Sequence, residues 1–237
     1  MRPLPRLLAF ADDHIAALDD LGIRAAAIAA VGPAVGLVAR LPAGTTDQLA
    51  SLAQRFVALA TPPMASVFVT GRSDVARAVR ANGVILRNGD LWCRPDPERS
   101  LWCRPDPERS EGPAYPRATG ISPSATTGVL RGTQDEVVIR SVHSLAEAGS
   151  ARAGGADALI VGSIWPSPTH PGRAPSGTAL LAQIVSLGLP TYAIGGVTAA
   201  RAIEAKAAGA WGVAAITAVW DTRESYEAAK EIVEVWR

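Results

Sequence analysis

The chain has 237 residues, 48% of them hydrophobic, and its formal net charge at neutral pH is +1. Acidic and basic residues are mixed along the chain, so we expect neither nucleic acid nor an anionic membrane as a partner. Cys93 and Cys103 belong to no C-x-x-C pair, which makes a zinc site unexpected and suits a reducing compartment. The uncharged stretch 25–39 is short and interrupted by Pro33, and no signal peptide is recognisable, so we expect a cytoplasmic protein.

Short apolar runs alternate with amphipathic, alanine-rich runs along most of the chain. Asp12 and Asp13 follow the first apolar run and predict a helix that continues to about Leu21. The predicted strands cover residues 7–10, 35–40, 66–70, 83–86, 137–140, 158–161, 191–194 and 212–216. The other predicted helices cover residues 45–59, 73–80, 145–153, 178–187, 199–208 and 224–236.

Eight nearly continuous apolar strands with helices between them predict a closed parallel sheet. We therefore expect an α/β fold, a (β/α)8 TIM barrel, as a single domain over residues 1–237. An open, doubly wound sheet is the alternative. It usually carries G-x-G-x-x-G after its first strand, and this chain has none there.

Residues 91–132 interrupt the alternation and form a long, irregular insertion after the fourth predicted strand. The decapeptide LWCRPDPERS occupies residues 91–100 and is repeated at 101–110, and further prolines follow it. This composition predicts a flexible insertion, and an exact tandem copy indicates a duplication of coding sequence. The alternative is a lid, because a loop after a barrel strand emerges on the catalytic face.

Adjacent glycines follow the seventh predicted strand, in the segment 194–198, and Ile216 and Thr217 end the eighth. In barrels these two loops often bind phosphate, because glycine lets backbone N–H groups approach an anion. We therefore predict a phosphate site at Gly195, Gly196, Ile216 and Thr217. Taken alone, the glycine pair is equally consistent with a tight turn that requires positive φ.

Polar side chains also end the fifth and sixth predicted strands. Ser141 and His143 follow the fifth, and an imidazole there faces the barrel mouth, where it could carry a proton near neutral pH. The alternative is a histidine at a helix start, with Ser144 as cap and Glu147 as its capping partner. The sixth strand is followed by a weaker set of candidate substrate contacts, or by a proline-stiffened surface loop: Ser167, Thr169 and His170.

Three segments together resemble the thiamine phosphate synthase/TenI superfamily. They read SVHSLAEA at 141–148, GADALIVGSIWPSPTH at 155–170 and AIGGVTAARAIEAKAAGAWGVAAITAV at 193–219. The resemblance covers roughly residues 137–220 and is faint before residue 90. It implies a TIM barrel, a phosphorylated thiazole as ligand and a homodimer, and it makes Ile216-Thr217 the counterpart of the family's Ile-Ser.

The synthase of this family joins a pyrimidine pyrophosphate to a thiazole phosphate and needs Mg²⁺, and here this chain departs from the pattern. Of the two cations in the family's Q-L-R-E-K pattern, this chain keeps one, Arg40. The N-D-R pattern corresponds to Thr70-Gly71-Arg72, which lacks the carboxylate. The family's H-L-G-Q-x-D-L pattern corresponds to residues 85–91 of this chain. Arg87 stands where the pattern has glycine, and only Asp90 remains as a possible metal ligand. His170 replaces a lysine. A single carboxylate supplies too few of the oxygen ligands that octahedral magnesium coordination requires.

The TenI branch lacks the metal apparatus and isomerises a thiazole carboxylate phosphate, a proton transfer that needs an acid/base. By this resemblance we predict a thiazole tautomerase in thiamine biosynthesis, with His143 catalytic, Arg40 among the substrate contacts and no cofactor. The second hypothesis is a divergent, magnesium-dependent synthase that uses Arg40, Arg72 and Asp90. The third is a non-catalytic binder of thiazole phosphate.

Overall fold

The computed structural model describes residues 4–60, 65–87, 90, 136–167, 172 and 174–237. Within these residues, eight parallel strands pair in sequence order, and β1 pairs with β8 to close a barrel. The strands are β1 Leu7–Ala11, β2 Val35–Ala39, β3 Ser66–Thr70, β4 Gly83–Leu86, β5 Val137–Val142, β6 Ala158–Gly162, β7 Thr191–Ile194 and β8 Gly212–Ala215. The predicted TIM barrel is confirmed, and each predicted strand lies within two residues of its observed bounds.

Helices lie between most successive strands and cover the outside of the barrel. They are α1 Asp13–Ala16, α2 Leu21–Ala29, α3 Thr46–Leu59, α4 Ser73–Ala78, α5 Leu145–Ala153, α6 Gly177–Val185, α7 Ala199–Ala207, α8 Thr217–Trp220 and α9 Ser225–Glu234. The helix predicted over residues 45–59 is confirmed as α3. Thr45 and Gln48 form a reciprocal capping box at its start, and Leu49, Leu52, Ala53 and Phe56 are buried.

The helix prediction after β1 is wrong in its extent. The aspartates start only the short α1, capped by Asp12, and the longer α2 begins where the predicted helix was to end. The cause is local, because Asp20 pairs with Arg24 at 2.8 Å across one turn of α2, whereas residues 17–20 are not helical. The short α8 was not predicted.

The barrel strands are buried on both faces, which explains their continuous apolar sequences. Side chains that point inward form a central cluster with Leu8, Phe68, Ile139 and Tyr192 at its heart. The larger cluster lies between the sheet and the helices. Because both faces of the sheet are buried, polar side chains lie at the ends of the strands, where barrel proteins carry their functional residues.

The N-terminal end of the barrel is closed by a polar plug. The Tyr192 hydroxyl and Trp211 Nε1 both donate to the Pro5 carbonyl, at 2.7 and 3.1 Å. Arg6 donates to the Trp211 carbonyl at 2.8 Å, and its guanidinium lies 3.7 Å from the centre of that indole ring. These contacts seal the end of the barrel opposite the catalytic face.

The predicted insertion, residues 91–132, lies outside the described residues, and so does the question of a lid. Among the helices that the structure describes, none is long and apolar enough to cross a bilayer. The uncharged stretch 25–39 is divided between α2 and β2.

Candidate functional site

A cavity of about 690 Å³ opens at the C-terminal ends of the strands, the face on which barrel enzymes carry their sites. This volume lies within the range for small-molecule pockets. Its walls come from loops after β2 to β8, so residues distant in sequence meet there. Its base is formed by inward-facing apolar side chains, including Phe10, Ile85 and Ile160.

The loop after β7 supplies backbone donors to the cavity. Gly195 and Gly196 have φ of +98° and +67°, a conformation that L side chains rarely adopt. The N–H groups of Gly196 and Val197 donate to no acceptor among the described residues, and both residues line the cavity. Ile216 and Thr217 line it from the end of β8. These features fit a phosphate cup, the term used below for the loops at Gly195–Val197 and Ile216–Thr217.

The loop after β6 packs directly beneath these glycines. Ile164 N–H donates to the Ile194 carbonyl at 2.9 Å, and Trp165 N–H donates to the Gly195 carbonyl at 3.3 Å. The Ser163 hydroxyl donates to the Trp165 carbonyl at 3.0 Å. A Cβ at position 195 would lie 1.9 Å from Ser163 Oγ. Glycine is therefore required at this position by close approach as well as by φ.

Arg201, in the first turn of α7, holds the cup from its outer side. Its Nη1 donates to the Gly196 carbonyl at 2.5 Å, and its guanidinium lies 5.9 Å from the centre of the Trp165 ring. A trans peptide places its N–H opposite its C=O. A Gly196 carbonyl turned toward Arg201 therefore turns the Val197 N–H toward the cavity.

His143 lies at the rim, just after β5, in a fixed orientation. Its Nδ1 lies 2.6 Å from the Gly162 carbonyl oxygen, and its backbone N–H donates to Glu147 Oε2 at 2.8 Å. A carbonyl oxygen only accepts, so Nδ1 carries a proton and Nε2 is the nitrogen left for a ligand. The Ser144 hydroxyl accepts from Glu147 N–H at 3.2 Å, as a helix cap does. The site and capping interpretations of this segment are therefore compatible.

Three arginines form the opposite side of the mouth, which we call the arginine wall: Arg40, Arg72 and Arg87. They follow β2, β3 and β4, and β3 is four strands away from β7 in the barrel order. Arg72 is engaged, because it donates to both Asp74 oxygens, at 2.8 and 2.5 Å, and to the Thr46 hydroxyl. This hydrogen bonding lowers the pKa of Asp74 below its usual range.

Carboxylates are scarce at the described part of the mouth, and Glu147 and Asp90 are both engaged. Glu147 is the only acid among the described residues that line the cavity, and it accepts from the His143 N–H. Asp90 does not line the cavity, and its Oδ2 accepts from the Arg87 N–H at 2.7 Å. No cluster of three His, Cys, Asp or Glu side chains with metal-binding geometry occurs in the part of the chain that the structure describes. These residues do not fit an octahedral magnesium site.

Most predicted site residues meet in this one cavity. The structure places eight of them along its lining: Arg40, Ser141, His143, Ser167, Gly195, Gly196, Ile216 and Thr217. Thr169 and His170 lie outside the described residues. The sequence arguments missed three residues that shape the site: Ser163, Arg87 and Arg201. For Arg87 a signal was available, since a cation directly after a barrel strand points to the mouth.

Comparisons with known proteins point to one family. A family model described as thiamine monophosphate synthase matches residues 129–219. A thiamine-phosphate synthase from Caldivirga maquilingensis is 36% identical over 118 residues, which cover 49% of this chain and 58% of that protein. One from Mycolicibacterium gilvum is 38% identical over 100 residues, covering 41% and 42%. The matched segments thus span about half the length of these relatives.

Solved structures extend the likeness over the whole barrel. Thiamine phosphate pyrophosphorylase from Pyrococcus furiosus superposes with a TM-score of 0.66 and 25% identity, covering 97% of this chain and 94% of that one. A 3-hexulose-6-phosphate synthase superposes with a TM-score of 0.59 at 18% identity, covering 97% and 98%, and this likeness concerns the fold alone.

Proposed function

We propose that the chain is a member of the thiamine phosphate synthase/TenI superfamily and acts as a thiamine-phosphate synthase, which joins a phosphorylated thiazole to a pyrimidine pyrophosphate. In that reaction the carbon–oxygen bond to pyrophosphate breaks and the pyrimidine carbon bonds to the thiazole. The electron pair leaves with the pyrophosphate. The names of the relatives favour this transferase over the tautomerase expected from sequence.

The observation that carries the proposal is a cavity with anion-binding groups at both ends. The phosphate cup offers backbone N–H groups on the β7–β8 side, and the arginine wall offers guanidinium groups on the β2–β4 side. A ligand that is anionic at one end only needs one of these. Two substrates, each with a phosphoryl group, need both.

In this arrangement the cup holds the thiazole phosphate, and the arginine wall receives the charge that develops on the departing pyrophosphate. The described residues do not fit the magnesium ion that the family resemblance implies, so no step is assigned to a metal. The apolar floor of Phe10, Ile85 and Ile160 supports the heterocycles and excludes water from beneath them.

The tautomerase remains a second candidate because of one specific observation. His143 is held by the Gly162 carbonyl and Glu147, with Nε2 left for a ligand, as a proton carrier requires. The carboxylate of a thiazole carboxylate phosphate would then contact the arginine wall in place of pyrophosphate.

The test is to incubate the purified protein with thiazole phosphate and the pyrimidine pyrophosphate, and to measure thiamine phosphate and free pyrophosphate together. We expect both products in equal amounts. A parallel sample receives thiazole carboxylate phosphate and is followed by NMR for its aromatic tautomer, with His143→Asn as the matched variant. Conversion in that sample, lost in His143→Asn, with no pyrophosphate release in the first, would replace the synthase by the tautomerase.

A further inference from the structure

Two guanidinium groups of the arginine wall have no partner among the residues that the structure describes. Arg40 and Arg87 line the cavity, and neither side chain has a hydrogen bond or ion pair within the ranges the structure describes. Arg72, which follows β3 between them, is already paired with Asp74. The wall therefore presents net positive charge to the cavity, which the engaged Glu147 does little to offset.

The backbone that carries Arg87 is held from two directions. Asp90 accepts from the Arg87 N–H at 2.7 Å and donates its own N–H to the Arg87 carbonyl at 3.1 Å. Arg140, on β5, donates to the carbonyls of Arg87 and Asp90 at 3.1 and 2.9 Å. Burial lowers the pKa of Arg140 below the usual range for arginine. Two polar side chains thus fix the position from which the Arg87 guanidinium reaches the mouth.

The spacing of the two free cations suits an extended anion. Neighbouring strands lie about 4.8 Å apart, so the backbones that carry Arg40 and Arg87 are separated by roughly 10 Å across β3. Arginine side chains of that separation can both contact an anion between them, and each guanidinium can donate two parallel hydrogen bonds to a phosphoryl group. A single monoanionic carboxylate engages one such fork.

We propose that Arg40 and Arg87 form a subsite for the pyrophosphate group that works without a divalent cation. At position 87 the family pattern has glycine, so this guanidinium is a feature of this chain, present where the family's metal-binding carboxylates are reduced to the engaged Asp90. The proposal rests on the proposed function for the identity of the anion. Its physical content is direct contact between pyrophosphate and guanidinium, with no metal between them.

The test is calorimetric titration of the full chain with inorganic pyrophosphate in EDTA, and again with excess Mg²⁺. We expect binding in EDTA that Mg²⁺ does not strengthen. Arg40→Gln and Arg87→Gln should each weaken it about 10-fold, since each removes one charge-assisted contact. Arg87→Lys should recover part of the loss. Arg152→Gln, at an exposed position in the last turn of α5, removes the same charge outside the cavity and should bind as wild type does.

Two results would overturn the subsite: binding that requires Mg²⁺, or equal affinity in wild type and the Arg40→Gln/Arg87→Gln double variant. Pyrophosphate binding that is lost in Gly196→Ala and unaffected by the double variant would also overturn it, because the anion would then occupy the phosphate cup. Failure of the proposed function is a separate result. Metal-free binding at the two arginines together with no thiamine phosphate formation would support the subsite and contradict the synthase.

Discussion

Replacing Gly196 by alanine tests the architecture of the phosphate cup. The residue has φ of +67°, which costs an L side chain about 1–2 kcal/mol. The new Cβ would lie 2.2 Å from the Pro166 carbonyl oxygen and 2.9 Å from Arg201 Nη1. Since the carbonyl belongs to the backbone, it cannot rotate away, and the overpacking adds about 1–3 kcal/mol. We expect Gly196→Ala to lower the free energy of unfolding by about 2–5 kcal/mol.

Gly155→Ala is the matched control for this substitution. Gly155 has φ of +81° with nothing within 4 Å of a built Cβ, so alanine there meets only the backbone term. The difference in unfolding free energy between the two variants isolates the contact with the loop after β6. At about 2–4 °C per kcal/mol, this difference corresponds to roughly 2–12 °C in Tm. Thermal unfolding by circular dichroism measures it, and calorimetric titration with thiazole phosphate measures the cup.

We expect Gly155→Ala to bind thiazole phosphate as wild type does, and Gly196→Ala to lose most binding because its loop and the Arg201 contact are displaced. The reasoning would be refuted if Gly196→Ala were as stable as Gly155→Ala and kept full affinity. The loops after β6 and β7 would then not be in the tight contact on which the cup depends.

Three further substitutions test separate contacts. Arg201→Met should weaken thiazole phosphate binding about 5- to 10-fold in calorimetry, since the Gly196 carbonyl loses a charged donor; unchanged affinity would remove its orienting role. Tyr192→Phe should lower the unfolding free energy in urea by about 0.5–1.5 kcal/mol, because Trp211 still satisfies the Pro5 carbonyl; a loss above about 3 kcal/mol would contradict this. Arg72 lowers the pKa of Asp74. Their ion pair therefore stabilises the folded protein at pH values above the ordinary carboxyl pKa, and this stabilisation is lost as the pH falls through the lowered pKa. Being exposed, it contributes below about 1 kcal/mol, and the Tm difference between wild type and Asp74→Asn should shrink toward pH 2.

The barrel strands were predictable because burial on both faces makes each one a continuous apolar run. The region around α2 was not, since an alanine-rich helix such as Leu21–Ala29 shows little amphipathic period, and the aspartates before it suggested an earlier start. The Asp20–Arg24 pair at the start of α2 has the i,i+4 spacing of a helix, but one such pair is too weak a signal to locate a helix start. The four-residue α8 is too short for any periodic pattern.

Within the site, glycines were predictable and supporting side chains were not. Gly195 and Gly196 stand out because only glycine tolerates their φ, which leaves a mark in the sequence itself. Arg201 acts through a hydrogen bond to a carbonyl, and such a contact gives arginine no distinctive neighbours along the chain. Arg87 carries a signal in the sequence, because a cation directly after a barrel strand points to the mouth. Its place near Arg40 follows only once the order of β2, β3 and β4 around the barrel is known.

The two ends of the cavity are built by different physical means, backbone groups at one end and side chains at the other. The phosphate cup uses backbone N–H groups, so it requires glycines and close packing of the loops after β6 and β7. The arginine wall uses side chains at strand ends, which can be exchanged without disturbing the fold. The family model matches residues 129–219, the segment that carries the cup. The proposed pyrophosphate subsite places recognition of the second anion at Arg40 and Arg87, outside that segment, so substitutions there should alter anion binding and leave the cup unchanged.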